Sequence, residues 1–153
     1  MITITLEHPV QEDLALLHHR HGAAMHADTP PESIHMLPPD ALAAPGIQFY
    51  VLRVDGAAVG MGALKRIDLA HGEIKSMHVL VEARGQGLAR MMLGHLVTEA
   101  REAGFRRLSL ETGAQASFAP ARALYLAEGF EICEPFEGYV LDPNSVFMTL
   151  VLD

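Results

Sequence analysis

Val79-Leu80-Val81-Glu82-Ala83-Arg84-Gly85-Gln86-Gly87-Leu88-Ala89-Arg90 is the stretch from which the fold is read. An apolar segment, Ile74 to Val81, runs into a turn made of Arg84-Gly85-Gln86-Gly87. In the segment that leaves the turn, Leu88, Met92 and Leu96 recur at spacing four, and so do Ala89, Leu93 and Val97. Arg90, Gly94, Thr98 and Arg101 fall on the opposite side, the pattern of a helix laying an apolar stripe on a sheet. Gly85 and Gly87 free the backbone at the turn, and the first N–H groups of the helix have no partner within it. Strand, glycine turn and helix N-terminus together form an anion site suited to phosphate.

Three phosphate-binding patterns compete for this turn. A P-loop needs Gly-Lys-Ser/Thr at the helix start, and neither the Lys nor the hydroxyl is present. The dinucleotide fingerprint G-x-G-x-x-G needs a third glycine where Arg90 stands, although Glu111 lies at roughly the ~20-residue distance that pattern requires. The third pattern is Arg/Gln-x-x-Gly-x-Gly/Ala, met by Arg84, Gly87 and Ala89. It resembles the acetyl-CoA loop of the GNAT superfamily of N-acetyltransferases, in which loop N–H groups hold the pyrophosphate of coenzyme A. A glycine turn that only precedes a core helix is the bland alternative.

The downstream sequence adds to the third pattern. Ala121-Arg122-Ala123-Leu124-Tyr125-Leu126-Ala127-Glu128-Gly129-Phe130 is similar to the family's A-x-x-L-Y-x-x-x-G-F segment, and it follows one further strand, as in that family. The resemblance runs from about Ile47 to the C-terminus. Glu111-Thr112-Gly113 and the stretch Asp142 to Met148 resemble small prokaryotic members whose substrates are mostly unassigned.

The chain has 153 residues, half of them hydrophobic and 20% charged, which predicts one globular domain over 1–153. No apolar run reaches ~18 residues, so no membrane span is expected. Met1 to Thr5 lacks a basic start and a cleavage site, and the single Cys133 cannot close an internal disulfide; both fit a cytoplasmic protein. Cys133 itself is expected to be a buried strand residue. A net charge of −8 argues against a nucleic-acid partner.

Taken in order, Ile2, Ile4 and Leu6 alternate with polar residues as in an edge strand, and Glu12 to Ala27 reads as a helix with Leu14, Leu17 and His21 on one face. Thr29-Pro30-Pro31 breaks it, and a short helix is expected from Pro38 to Ala43. Strands follow at Phe49 to Val54, Val59 to Ile67 and Glu73 to Val81, then a helix from Gln86 to Ala103 and a strand from Arg106 to Glu111. Phe118 to Glu128 reads as a helix, and Phe130 to Cys133 with Val146 to Leu152 as a final antiparallel pair. The resulting order, βααβββαβαββ, is that of an α/β mixed sheet of GNAT type, in which the resemblance implies splayed central strands. His18, His19, His21 and His26 cluster in the first helix but lack metal-ligand spacing, and no metal is expected.

The resemblance also implies a site. Acetyl-CoA is the expected co-substrate, held by Arg84, Gly85, Gln86, Gly87, Leu88, Ala89 and Arg90, with backbone groups of Met77, His78 and Val79 along the pantetheine arm. Ser117 stands near where many members carry a cofactor-contacting Asn. Glu73 matches the family's general base, which an alkyl amine of pKa near ~10.4 needs at neutral pH. Tyr125 matches the tyrosine that protonates the departing thiolate. Strand alternation puts Glu73, Lys75, Met77 and Val79 on one face, and Glu111 is the rival carboxylate. The acceptor side is expected to include His35, Lys75, Glu111 and Tyr139, with Phe136 and Asp142 in the same late loop. Lys75, with Lys65 or Arg66, favours an acceptor amine bearing an acidic group, unless these cations only neutralise Glu73, Asp68 and Glu111. The expected function is acetyl-CoA-dependent transfer of an acetyl group to a primary amine of a small molecule or amino acid, in a ternary complex. The alternatives are a non-catalytic acyl-CoA-binding module and a dinucleotide-binding domain. A homodimer is compatible with the sequence.

Overall fold

The computed structural model describes residues 1–152. Among these described residues seven strands form one sheet: β1 (Ile2–Leu6), β2 (Ile47–Val54), β3 (Ala57–Arg66), β4 (His71–Val79), β5 (Arg107–Gly113), β6 (Glu131–Cys133) and β7 (Ser145–Val151). Their spatial order is β1-β2-β3-β4-β5-β7-β6. Every pairing among them is antiparallel except β4 with β5. Three α-helices accompany the sheet: α1 (Ala15–Asp28), α2 (Leu88–Glu102) and α3 (Ala119–Ala127). The short helix expected after Pro38 is a five-residue 3-10 segment, Pro39–Ala43.

The helices divide between the two faces of the sheet. Leu88, Met92, Leu93 and Leu96 of α2 pack on Leu52, Leu64, Ile74 and Leu108, and Tyr125 of α3 joins the same core. Each such side chain contributes about 1.5–3 kcal/mol by leaving water. On the other face Leu14 and Leu17 meet Phe49, Val51, Met61 and Ala63. Leu14, Leu17 and His21 are buried, as their spacing predicts, although Glu12–Leu14 is a 3-10 turn that leads into α1.

The single parallel pairing shapes the centre of the sheet. β4 and β5 are in register only at His71, Gly72 and Glu73, opposite Arg107, Leu108 and Ser109. Beyond Glu73 they diverge, so the β5-facing edge of β4 loses its ladder partners and can serve a ligand. A bulge lies at the start of this divergence. Met61 pairs with His78 but Ala63 pairs with Lys75, so Gly62 faces two residues, and Ser76 takes φ +56°. A Cβ on Gly62 would lie 3.0 Å from Met77 Sδ and Met92 Cγ, which explains a glycine opposite the bulge.

The bulge corrects the expected strand faces. Glu73 and Lys75 lie on the α1 face, but Met77 and Val79 pack into the α2 core, and His78 turns toward His21 on α1. One extra residue in the strand reverses all side chains after it. Cys133 differs too: on the short edge strand β6 it is half-buried rather than buried.

Candidate active site

The splay opens into a cleft of ≈ 650 Å³, walled by α1, β4, the glycine turn, the end of β5 and α3. At its mouth Gly85 and Gly87 adopt φ +83° and +75°, conformations that side-chain-bearing residues adopt at a cost. The first helical bond of α2 runs from Met91 N–H to the Gly87 carbonyl, so the N–H groups of Leu88, Ala89 and Arg90 come before the ladder starts. Among the described residues no side chain caps this end. A Cβ placed on Gly85 or Gly87 meets nothing within 4 Å, so the space in front of the turn is open. Arg84 folds back so that its Nε donates to the Val79 carbonyl at 3.2 Å, fixing the turn to the end of β4. Arg20 of α1 ion-pairs with Glu82 and closes the α1 side of the same corner.

Of the residues expected to hold a cofactor, Met77, His78, Val79, Arg84, Gly85, Gly87, Leu88, Ala89, Arg90 and Ser117 line the cleft. Gln86 does not; it is exposed at the tip of the turn. Gly113 ends β5 beneath Phe118, whose ring a Cβ there would strike, and this close approach shapes the wall next to Ser117.

At the apex of the splay the two carboxylates meet on one face. Glu73 is 1% exposed, and its Oε2 accepts the Tyr139 hydroxyl at 2.5 Å. Lys75 Nζ lies 3.3 Å from the same carboxylate, 2.8 Å from Tyr139 Oη and 3.1 Å from the His35 carbonyl. One ammonium thus ties the segment after α1, strand β4 and the β6–β7 loop together. Tyr139 itself does not line the cleft: it sits behind Glu73, edge-on to His35 and packed on Phe136 and Phe147. Burial, then its bond to Glu73, pushes its phenol well above the ordinary value. Glu111 lies further along β5 on this face and lines the cleft; burial raises its carboxyl above the usual range.

Tyr125 enters from the other side. Its ring packs on Phe130 in the α2–α3 core, and it lines the cleft opposite Glu111. Burial first, and then the Glu111 charge, push its phenol well above its ordinary value. It therefore stays protonated and can act as a proton donor at neutral pH.

Several cleft residues carry no mark in the sequence. Ser33 Oγ donates to Asp142 at 2.5 Å and Asn144 N–H to the same carboxylate at 2.8 Å, joining the segment after α1 to the β6–β7 loop. The Ser76 hydroxyl and the Thr29 hydroxyl are buried in the cleft wall without hydrogen-bond partners among the described residues, as is His21 Nδ1. The glycines of Gly60-Met61-Gly62 were the available signal for the bulge that carries Ser76. The contacts across loops left no sequence signal.

The buried histidines carry a stability prediction. Burial holds His21 at about 3 and His78 at about 4. The unfolded chain takes up these protons near pH 6.5 and the folded chain does not, so stability is full above pH 6.5 and falls as pH drops toward 4. Each histidine contributes up to about 1.4 kcal/mol per pH unit. Glu7, held at about 2 by its bond to Arg53, adds its own slope only below about pH 4.5. Urea denaturation from pH 7.5 to 5 should show the loss, and His21→Leu should flatten it. An unchanged slope in that variant would refute the assignment.

Residues 14–130 match the model of the acetyltransferase (GNAT) family. The chain is 49% identical over 129 residues to the uncharacterized N-acetyltransferase YsnE of Bacillus subtilis, covering 84% of this chain and 85% of that protein. It is 40% identical over 150 residues to the uncharacterized N-acetyltransferase YedL of Escherichia coli, covering 98% and 92%. The crystal structure of a GNAT family acetyltransferase from Elizabethkingia anophelis with acetyl-CoA bound superposes with a TM-score of 0.70 at 20% identity, over 99% of this chain and 98% of that one.

Proposed function

The chain belongs to the GNAT family of acetyltransferases, and from that premise we propose that it moves the acetyl group of acetyl-CoA directly onto a primary amine of a small acceptor, both molecules being bound at once in the splay. One observation carries this reading: the carboxylates Glu73 and Glu111 line the α1 face of the splay while the Tyr125 phenol reaches it from the α2–α3 face. A proton acceptor and a proton donor on opposite faces suit attack from one side and departure of sulfur on the other.

The residues present fit the donor. The open space before Gly87 and the N–H groups of Leu88 to Arg90 would take the pyrophosphate, with Arg84 and Arg90 adding positive charge. The free edge of β4 from Met77 to Val79 would run alongside the pantetheine, and main-chain N–H groups at the bulge would steady the carbonyl oxygen as charge grows on it. Bound acetyl-CoA supplies the thioester; the chain's own groups move the protons. Glu73, directly or through water, takes a proton from the amine, nitrogen bonds to the acetyl carbon, the C–S bond breaks, and Tyr125 gives its proton to the sulfur. Lys75 and Tyr139 hold the Glu73 carboxylate in place, and Glu111 faces the acceptor.

Thiol release from acetyl-CoA across a panel of primary amines tests the reading. Turnover should depend on the amine, and Glu73→Gln should reduce it most at low pH, where more of the acceptor is protonated. Thiol release no faster than hydrolysis with every amine would overturn it.

A further inference from the structure

The charge of the acceptor half of the cleft is set by which groups are already engaged. Lys75 is the cation expected there, but it ion-pairs with Glu73 and donates to Tyr139 and the His35 carbonyl. Arg66, on the adjoining strand, lies over the Phe105 ring and does not line the cleft; neither does Lys65. Arg84 and Arg90 stand at the glycine turn, at the opposite end of the cleft from Glu73. Among the described residues no lysine or arginine near Glu73 lines the cleft without a partner, which weighs against an acidic acceptor.

The acids are differently placed. Glu111 lines the cleft with no ion-pair partner among the described residues, and Asp28 stands at the rim. Burial raises the Glu111 carboxyl, and the nearby His35 and Lys75 draw it part of the way back. His21 Nδ1, Thr29 Oγ1 and Ser76 Oγ, each at least nine-tenths buried, line the wall without partners and can all accept N–H donors. Between them the wall is apolar and adaptable, made of Ala24, Met25, Ile34 and Met36.

Building on the amine-acetylation reading above, we propose that this half of the cleft takes a small diamine or polyamine: an aliphatic chain with a second ammonium nitrogen for Glu111 and no carboxylate. Glu73 serves the nitrogen that is acetylated, Glu111 anchors the other, and the methionine wall covers the methylenes between them. A carboxylate on the ligand would face Glu111, while the nearby Lys75 is already paired with Glu73.

Calorimetric titration of the protein saturated with coenzyme A separates the cases without relying on turnover. Putrescine, ornithine and butylamine are matched probes: ornithine adds a carboxylate to putrescine, and butylamine removes one nitrogen. Putrescine should bind roughly tenfold or more tighter than either. In Glu111→Gln its advantage over butylamine should vanish while coenzyme A binding persists. Ornithine binding as tightly as putrescine, butylamine doing so, or none of the three binding would overturn the proposal. Should the expected order hold with no thiol released from acetyl-CoA, the acetylation reading falls and the diamine pocket stands.

Discussion

A folded Gly87→Val protein is expected to lose roughly a hundredfold in affinity for acetyl-CoA, about 3 kcal/mol, the worth of one or two hydrogen bonds to a charged group. Gly87 holds φ +75°, and its missing Cβ would project into open space rather than into the core. The fold therefore suffers only the backbone strain of about 1–2 kcal/mol, while the ligand meets a branched side chain where phosphate must come close to the N–H groups. Gly104 is the control. It sits at φ +86° beyond the other end of α2, with nothing near its Cβ position and away from the cleft. Gly104→Val should bring the same strain and leave binding intact. Equal acetyl-CoA binding by the two folded variants would remove the turn from the donor site.

Tyr125→Phe should lower kcat by about ten- to a thousandfold, the range for loss of a positioned proton donor, with little change in acetyl-CoA binding. The ring that packs on Phe130 is retained, so the core is preserved and only the hydroxyl goes. Because burial and Glu111 keep the phenol protonated, the wild-type enzyme should show no loss of this donor at mildly alkaline pH. Steady-state rates with a fixed amine, together with calorimetry on acetyl-CoA, check both halves. A kcat within twofold of wild type would mean that another group, or water, protonates the sulfur.

The elements of this fold were legible where the information is local. The period of four from Leu88 onward marked α2, and the glycines at Gly85 and Gly87 marked a turn that does require positive φ. The same held for the first helix, where Leu17 and His21 of α1 share a face with Leu14 just before it, and for the order of the strands along the chain. Cleft-lining positions near the turn followed from the motif, apart from Gln86, which a motif cannot orient because a flexible turn can aim a side chain either way. Tyr139 belongs to the neighbourhood the sequence suggests, but not to the cleft wall, because its hydroxyl is bonded to Glu73 from behind.

The sequence by itself determined which segments are helix and strand, where the glycine turn lies and which family the chain resembles, because each depends on residues close together along the chain. Only the tertiary structure decided the faces of β4 and the partners of the Lys75 ammonium. At the bulge Gly62 of the partner strand faces two residues, and the extra residue reverses Met77 and Val79 relative to Glu73. The ammonium of Lys75 looks free in the sequence, yet it is consumed by Tyr139, 64 positions away, and by the carbonyl of His35, 40 positions away. Register and charge neutralisation are properties of pairs of distant segments, so they are settled only when the sheet and its loops close on one another.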